Sequence, residues 1–323
     1  MSDCLSEEQE QSNQRARRTW ESKAVGSQRA LSPAGTTDYF DEIRRYRYGY
    51  ETPFIPAFFE FSALAGKRVL EIGVGNGIDA FEMIRGGAVY TGLGIARKHL
   101  DLTRCLLTSA GVDEMPGRVE ALIEGDLLRT KLHGSYDVVY SFGVLHHIAH
   151  EGDYLRRIHS LLKPDGELRI AVYSRLSFFN AWLVMTWLLR NRARNRLADW
   201  QSHLAEHSPL GDPVVIKIRT RVEVQRLLEA SGFKVVRYGK RGFVSRYLPF
   251  LGRFLAPDGV VLGICARSLG WYHSFICHPV ESAVVPRASA GEKIDGHGEA
   301  CTITNVDGVQ GAADATGAEQ WPT

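Results

Sequence analysis

Two adjacent histidines, His146 and His147, are side chains of a type that suits proton transfer. They lie in the segment GVLHHI, directly after the apolar run YDVVYSF, which is predicted to be the fourth strand of a sheet. An imidazole titrates near neutral pH, so such a ring is suited to take a proton from a hydroxyl or from an acidic carbon. The alternative interpretation is structural, because an imidazole here also packs or caps the next helix. Both histidines are candidate general bases, with His147 preferred.

A glycine-rich segment, VLEIGVGNGIDA, is the second candidate site. It places an acidic residue, Glu71, and three glycines, Gly73, Gly75 and Gly77, where a strand ends and a helix begins. Glycines let the chain turn sharply and let its backbone come close to a ligand. The dinucleotide fingerprint G-x-G-x-x-G needs a glycine one position later, where this chain has Ile78. The spacing G-x-G-x-G therefore favours a ligand other than the pyrophosphate of a dinucleotide.

The elements that position these residues alternate between strand-like and helix-like segments. Helices are predicted at IDAFEMIRGG, RKHLDLTRCLLTSAG, GDYLRRIHSLLKPDG and RVEVQRLLEASG. Strands are predicted at KRVLEIGVG, VYTGLGI, RVEALIEGD, YDVVYSFG, ELRIAVY, FKVVRYG and GVVLGICAR. This alternation predicts an α/β protein with a doubly wound, Rossmann-like sheet of about seven strands, covered on both faces. Ligands of such sheets bind at the carboxyl ends of the strands, near the topological switch point.

Composition predicts a cytoplasmic protein of 323 residues. A net charge of +2 gives no reason to expect nucleic acid as a partner. The five cysteines include no C-x-x-C pair, so neither a zinc site nor a disulfide framework is expected, and no other clustered ligand set predicts a metal. The N-terminal segment lacks the apolar core of a signal peptide, and no apolar run reaches the roughly 17–25 residues that span a bilayer.

Four segments, in the right order, resemble the motifs of class I S-adenosylmethionine (SAM)-dependent methyltransferases. The glycine loop that begins at Glu71 resembles the first motif, and EGDLL places Asp126 after the third strand. YDVVYSFGVLHHI and LLKPDGELRIAVY resemble the motifs around the fourth and fifth strands. The chain is thus similar to a bacterial, methyltransferase-11-like branch that modifies small molecules. The resemblance implies SAM as the cofactor, with the glycine loop around its methionine end and Asp126 accepting from its adenine amino group.

Composition at the two ends and the resemblance between them together predict a division of the chain. We expect a disordered N-terminus over residues 1–15, a methyltransferase domain over 16–278 and a disordered tail over 279–323. Within the domain we expect a helical lid over 16–65, a core over 66–175, a substrate-cover insertion before the sixth strand over 176–220, and the C-terminal part of the sheet over 221–278.

The lid and the insertion both offer candidate contacts. In the lid, Tyr39, Tyr46 or Arg47 is expected to contact the methionine carboxylate or the substrate, with Tyr39 taken as a cofactor contact. Trp20 belongs to the same cover, and the alternative for these aromatic residues is simple packing. In the insertion, an apolar run over 178–189 precedes a basic stretch. That pattern favours a helix lining an apolar pocket, and a helix contacting a lipid surface is the alternative.

Gly94 departs from the family pattern at the end of the second strand. An acidic residue ends this strand in nucleotide-binding folds of this type and bonds the cofactor ribose. Losing a hydrogen bond to a charged acceptor costs roughly 1.5–3 kcal/mol, which weakens binding about ten- to a hundredfold. Asp101 lies too far along the predicted helix to replace that acid. Arg97 and Lys98 fit another cofactor, NADP, whose 2′-phosphate is often held by an arginine near this position.

The preferred hypothesis is SAM-dependent methyl transfer to a small, apolar or aromatic molecule of a biosynthetic pathway. The acceptor atom is oxygen, nitrogen or carbon, and the protein is a monomer or a homodimer. Two alternatives remain: an NADP-dependent oxidoreductase, and a degenerate methyltransferase fold that acts as a binding protein.

Overall fold

The structure, a computed structural model, describes residues 2–22, 24–132, 134–191, 216–248, 252–256 and 259–280. Residues 192–215 of the expected substrate-cover insertion lie outside the described residues. So do residues 281–323 of the expected disordered tail.

Seven strands form one sheet, in the spatial order β3-β2-β1-β4-β5-β7-β6. The strands are β1 (Arg68–Ile72), β2 (Val89–Gly94), β3 (Arg118–Glu124), β4 (Tyr136–Phe142), β5 (Leu162–Tyr173), β6 (Phe233–Arg241) and β7 (Tyr272–Pro279). The first five pair in parallel, and β7 runs antiparallel to both of its neighbours. The predicted α/β class and the doubly wound sheet of about seven strands are confirmed.

Helices cover both faces of this sheet. They are α1 (Ser2–Ser22), α2 (Thr37–Tyr46), α3 (Ile55–Phe58), α4 (Ile78–Arg85), α5 (Arg97–Ser109), α6 (Glu151–Leu161), α7 (Phe178–Asn191), α8 (Arg221–Ala230) and α9 (Val260–Leu269). In one core, α6 and α8 pack against residues of the sheet such as Leu70 and Val139. The other packs α3 and α4 against residues such as Val69 and Tyr140. Side chains alternate between the faces along each strand, which explains why neighbouring residues belong to different cores.

The order of the strands reverses between β1 and β4. From β1 the chain proceeds to β2 and β3 on one side, and from β4 it proceeds to β5 on the other. The loops that leave β1 and β4 therefore diverge, and a cleft forms at their carboxyl ends. The glycine loop follows β1, and the two histidines follow β4 in a short 3₁₀ turn, Leu145–His147. The fold thus brings the two candidate sites to one edge of the sheet.

The predicted strand GVVLGICAR is wrong, because these residues form the helix α9. A short apolar run does not distinguish a strand from a helix by its periodicity. Here Leu262 and Ala266, four residues apart, are buried, whereas Val260 and Ile264 are 80% and 58% exposed. The last strand is β7, which pairs with both β5 and β6.

The N-terminus differs from the disordered segment predicted over residues 1–15, because α1 begins at Ser2. Its sequence, SDCLSEEQEQSNQRARRTWES, is rich in glutamate, glutamine and arginine, which are good helix formers. The polarity that indicated disorder therefore also permits a helix that contacts the protein through polar groups. Among the described residues, no helix is long and apolar enough to cross a bilayer.

Candidate functional site

The glycine loop after β1 combines two packed glycines with an open one. Gly73, Gly75 and Gly77 all have positive φ angles, of 89°, 58° and 79°. A Cβ at Gly73 would lie 2.3 Å from a methyl of Val144, and one at Gly77 would lie 2.9 Å from the Cα of Thr103. A Cβ at Gly75 would meet nothing within 4 Å. Gly73 and Gly77 thus allow close packing, while the backbone at Gly75 borders free space that a ligand can fill.

Three strand ends meet at this loop. The amide of Gly73 donates to the carbonyl of Leu93 at 2.8 Å, and the amide of Gly125 donates to the carbonyl of Gly94 at 2.9 Å. Asp126 therefore directly follows a residue bonded to the end of β2. The structure brings the glycine loop, Gly94 and Asp126 together, as the sequence predicts.

The carboxylate of Asp126 is held at both oxygens. Oδ1 accepts from the amide of Leu128 at 3.2 Å, which fixes the turn after β3. Oδ2 accepts from the side-chain amide of Asn13, on α1, at 2.8 Å. An amide nitrogen of the protein thus lies where the sequence analysis expects the adenine amino group.

Glu71 is turned into the protein. It is 3% exposed, and its carboxylate accepts from the hydroxyl of Tyr90 at 2.5 Å. Burial raises the pKa of Glu71 well above its ordinary value, and the negative charge of Asp79 raises it further. A raised carboxyl pKa favours the protonated, neutral form. Glu71, predicted as a cofactor contact, is thus buried and bonds Tyr90 inside the protein.

A buried ion pair links the lid to α4. The guanidinium of Arg47 donates from two nitrogens to the two carboxylate oxygens of Asp79, and the hydroxyls of Tyr48 and Tyr140 donate at 2.5 and 2.8 Å. Burial alone would raise the pKa of Asp79, but the arginine and the hydroxyls outweigh it and lower that pKa. Arg47, expected near the methionine carboxylate, thus has a carboxylate partner within the protein.

The two lid tyrosines named from the sequence have different surroundings. Tyr39 is 2% exposed and packs in a cluster with Ala24, Ile78 and Leu102. Its hydroxyl is buried and has no hydrogen-bond partner in the described part of the chain. Tyr46 instead accepts from Arg246 at 3.3 Å. Tyr39 therefore keeps a free polar atom close to α4 and α5, whereas Tyr46 is engaged elsewhere.

The segment after α1 is anchored on the glycine loop and on α5. The amide of Val25 donates to Nε2 of His99 at 3.2 Å, and the carbonyl of Val25 accepts from the side-chain amide of Asn76. Burial, with Lys98 adding, lowers the pKa of His99 from 6.5 to about 4. The imidazole is therefore neutral near pH 7 and free to accept this bond.

The two histidines after β4 are both buried but have different neighbours. The ring of His146 stacks on Tyr173 with 3.8 Å between ring centroids, and neither of its nitrogens has a hydrogen-bond partner among the described residues. Burial lowers the pKa of His146 well below its ordinary value. His147 instead has the edge of Trp20, on α1, at 5.9 Å. His147 thus borders α1, whereas His146 packs against an aromatic wall.

That aromatic wall extends from β4 and β5 to α7. Tyr173 stacks on Trp271 at 4.4 Å, and Trp271 meets the edge of Phe179 at 4.9 Å. Phe142 and Tyr272 lie 4.9 Å apart on the same side. The described part of α7 thus packs its first turn on aromatic rings, in agreement with a helix that lines an apolar pocket.

Sequence analysis missed several polar residues of this site. Asn13 and Glu21 lie on α1; Asn13 falls in the segment predicted to be disordered, and Glu21 falls in the predicted helical lid but was not named as a contact. Asn76 and Thr19 are buried, and Oδ1 of Asn76 and the hydroxyl of Thr19 have no hydrogen-bond partner among the described residues. Buried polar atoms are almost always bonded, so unsatisfied ones beside an open glycine loop fit a polar ligand. Within the described residues, no group of His, Cys, Asp and Glu side chains has the arrangement of a metal site.

Comparison with protein families identifies one match over more than half of the chain. A family model described as a methyltransferase domain matches residues 40–238. The ubiquinone biosynthesis O-methyltransferase of Bordetella avium is 29% identical over 179 residues, which cover 54% of this chain and 68% of that protein. The enzyme of the same name from Nitrosococcus oceani is 33% identical over 116 residues, or 35% of this chain and 47% of that protein. The chain spans about half to two thirds of the length of these relatives.

Comparison with solved structures agrees with the fold. The magnesium protoporphyrin IX methyltransferase of Synechocystis PCC 6803, solved with bound S-adenosylhomocysteine (SAH), superposes with a TM-score of 0.52. The match covers 83% of this chain and 99% of that one, at 13% identity. At this identity the match concerns the fold.

Proposed function

The chain belongs to the methyltransferase-domain family, and from this we propose that it transfers a methyl group from SAM to a hydroxyl of a small, apolar or aromatic molecule. Its sheet is that of the class I SAM-dependent methyltransferases, and SAM is the cofactor of that class. The identity of the acceptor and the roles of single residues are part of the proposal.

The observation that carries the proposal is the open backbone at Gly75, in a loop that is bonded to the end of β2, where the residue before Asp126 is bonded as well. No side chain would obstruct a ligand at Gly75, and Asp126 follows the residue bonded to Gly94. The loop around Gly75 would hold the methionine end of the cofactor, and Asp126 would accept from its adenine. Tyr39 would donate its unpaired hydroxyl to a polar group of the same ligand. When bound, the cofactor supplies an electrophilic methyl group on a sulfonium.

His147 is the residue we assign to proton removal. It follows β4 at the edge of the cleft and borders Trp20 of α1, so its imidazole lies beside the place where α1 meets the sheet. A hydroxyl becomes a better nucleophile as its proton passes to a base, and a positioned base typically contributes 10²–10⁴-fold. His146, stacked on Tyr173, would hold the turn and the aromatic wall in place.

The aromatic wall supports an apolar or aromatic acceptor. Tyr173, Trp271 and Phe179 form a continuous set of ring contacts next to the histidines. Rings of this kind bind flat apolar molecules through dispersion and offset stacking. The relatives from Bordetella avium and Nitrosococcus oceani are O-methyltransferases by name, which supports a hydroxyl as the acceptor.

The NADP alternative finds less support. Ile78, at the third glycine position of the dinucleotide fingerprint, is buried as the first residue of α4. The amides of Arg97 and Lys98 already bond the carboxylate of Glu21, and Arg97 pairs weakly with Asp101 at 3.8 Å. A 2′-phosphate would meet a negative charge at this place.

The proposal is tested by transfer of labelled methyl groups from SAM to a panel of apolar phenols and catechols. The matched control panel contains the same molecules with each hydroxyl already methylated. We expect label on hydroxylated acceptors only. If the chain binds SAM but labels none of the phenols and catechols, the proposed activity is wrong. That result would favour the alternative of a methyltransferase fold that acts as a binding protein.

A further inference from the structure

The end of β2 has space for an acidic side chain but carries none. A Cβ built at Gly94 would lie 3.4 Å from the nearest atom, a methyl of Leu100, which is close to ordinary contact. The ribose of the cofactor therefore lacks its usual carboxylate from this strand. The inference that follows rests on the proposed function. It concerns which other group of this chain bonds the ribose in place of that carboxylate.

One carboxylate from a distant part of the sequence reaches this point. Glu21, at the end of α1, accepts from the backbone amides of Arg97 and Lys98. These residues open α5, and only Ile95 and Ala96 separate them from Gly94. Ala96 is the N-cap of α5 and has no side-chain oxygen to bond those amides. Glu21 thus brings a negative charge to the beginning of the helix that follows β2.

The face of α1 that meets the protein is unusual for a packing helix. Of its less exposed positions, Ser12, Asn13, Ala16 and Thr19 are small or polar, and Trp20 is the large apolar one. Asn13 bonds Asp126, and the hydroxyl of Thr19 is buried without a hydrogen-bond partner among the described residues. A helix that covers a core normally turns a broad apolar stripe to it. The polar inner face of α1 suits a helix that covers a polar ligand.

We propose that Glu21, carried by α1, is the carboxylate that receives the ribose hydroxyls of the cofactor in place of the acid that is missing at Gly94. Asn13 and Glu21 lie two helical turns apart. Asn13 then holds α1 at Asp126, which bonds the adenine, and Glu21 holds it at the ribose of the same ligand. A carboxylate accepts about four hydrogen bonds, so Glu21 can bond the amides of α5 and the ribose hydroxyls at the same time. Its charge would also disfavour a 2′-phosphorylated cofactor.

A purely structural role of Glu21, as a substitute cap of α5, makes a different prediction. A cap stabilises the helix whatever ligand is bound, so its loss would affect every ligand of the site equally. A ribose contact affects only ligands that carry the hydroxyls. Comparing SAH with its 2′,3′-dideoxy analogue therefore separates the two roles.

The experiment is calorimetric titration of the full chain with SAH and with the dideoxy analogue. We expect Glu21→Ala to raise the Kd of SAH about ten- to a hundredfold, as for the loss of a hydrogen bond to a charged group, and to leave the Kd of the analogue nearly unchanged. Asp101→Ala is the matched control, since it removes a carboxylate from α5, the helix whose first amides Glu21 bonds, and we expect it to change neither Kd. An equal loss for both ligands, or no loss for SAH, would overturn the proposal.

A second variant tests the same idea by moving the charge. In the Glu21→Ala background, we expect Gly94→Asp to recover most of the lost affinity for SAH, and in the unaltered chain to have a much smaller effect. The two substitutions would then be strongly non-additive, as for groups that serve one contact. Additive effects would contradict the proposal. If the unaltered chain fails to bind SAH at all, the proposed function itself is wrong, and that result differs from a failure of Glu21 alone.

Discussion

His146 and His147 are neighbours in the sequence, yet their rings have different surroundings. His146 stacks on Tyr173 and is 1% exposed, and its pKa is lowered well below the ordinary value by burial. Such a ring stays neutral near pH 7 and is a poor proton acceptor. His147 borders Trp20 at the edge of the cleft. The sequence analysis preferred His147 for the base, and the surroundings of the two rings support that preference.

Replacing His147 tests its role as a base. We expect His147→Gln to lower kcat about 10²–10⁴-fold with the acceptor found in the labelling assay, because the substrate hydroxyl loses its proton acceptor. The Kd of SAH, measured by calorimetry, should stay nearly the same. His159→Gln, at a half-buried ring on α6 that bonds the carbonyl of Val280, is the matched control and should leave kcat unchanged. An unaltered kcat in His147→Gln would remove this residue from the mechanism.

The neutral ring of His99 makes stability depend on pH. Its pKa is about 4 in the folded protein against an ordinary 6.5, mainly because it is buried. Above pH 6.5 the ring is neutral in both states. Between pH 6.5 and 4 the unfolded chain binds a proton that the folded one does not, so we expect the free energy of unfolding to fall with pH, by up to roughly 3 kcal/mol from this residue.

The measurement is urea unfolding of the unaltered chain and of His99→Gln at about pH 7 and about pH 4.5. Glutamine keeps an acceptor for the amide of Val25 but does not titrate here. The variant should lose less stability on acidification than the unaltered chain. His146 and His273, whose pKa values burial also lowers, remain in both proteins and contribute to the residual slope. Equal losses in the two proteins would show that His99 is not the titrating group.

At the scale of elements, the central sheet was predictable because its signals are local. Short apolar runs, each followed by glycine or an amphipathic helix, identified β1 to β6 and the helices between them. The last strand was misplaced, because the apolar run of α9 lies just before β7 and mixes buried Leu262 with exposed Ile264. Only the pairing of β7 with β5 and β6, a long-range contact, decides between the two segments.

The polar contacts of α1 to the site were not predictable, for a related reason, although its last turns were expected to belong to a helical lid. Its sequence is polar, and its contacts to Asp126 and to the amides of α5 join residues far apart in the chain. Nothing in the local pattern indicates that Asn13 and Glu21 lie on one face above a cleft. The sequence contains one indirect indication. It has no acidic residue at Gly94, so another group has to bond the ribose.

The glycine loop gives a prediction about packing between elements. Gly77 has a φ of 79°, and a Cβ there would lie 2.9 Å from the backbone of Thr103 on α5. We expect Gly77→Ala to lower the free energy of unfolding by about 2–4 kcal/mol, since it adds overpacking to backbone strain. Gly66→Ala is the matched control: its φ is 71° and a Cβ meets nothing within 4 Å.

Urea unfolding of both variants measures the difference. The control should lose only about 1–2 kcal/mol, the backbone cost of a left-handed conformation. If both variants lose the same amount, the close approach of the loop to α5 is not what makes a glycine necessary at position 77.

For the whole molecule, the fold and the meeting of the candidate residues at one edge of the sheet followed from the sequence, while the partners of their side chains did not. The order of the strands creates the cleft, and parallel strands bring Gly73, Gly94 and Asp126 to one edge whatever the surface residues are. The partners of those residues depend on packing. Glu71 bonds Tyr90 inside the protein, Arg47 pairs with Asp79, and Asn13 meets Asp126.

The central claim is that this cleft binds SAM, through an open backbone at Gly75 and the carboxylate of Asp126. The most direct measurement is calorimetric titration of the full chain with SAM, SAH and NADP under the same conditions. The account predicts one site that binds SAM and SAH and gives no heat with NADP, and it predicts that Asp126→Ala raises the Kd of SAH. Binding of NADP in place of SAM, or no binding of either SAM or SAH, would contradict it.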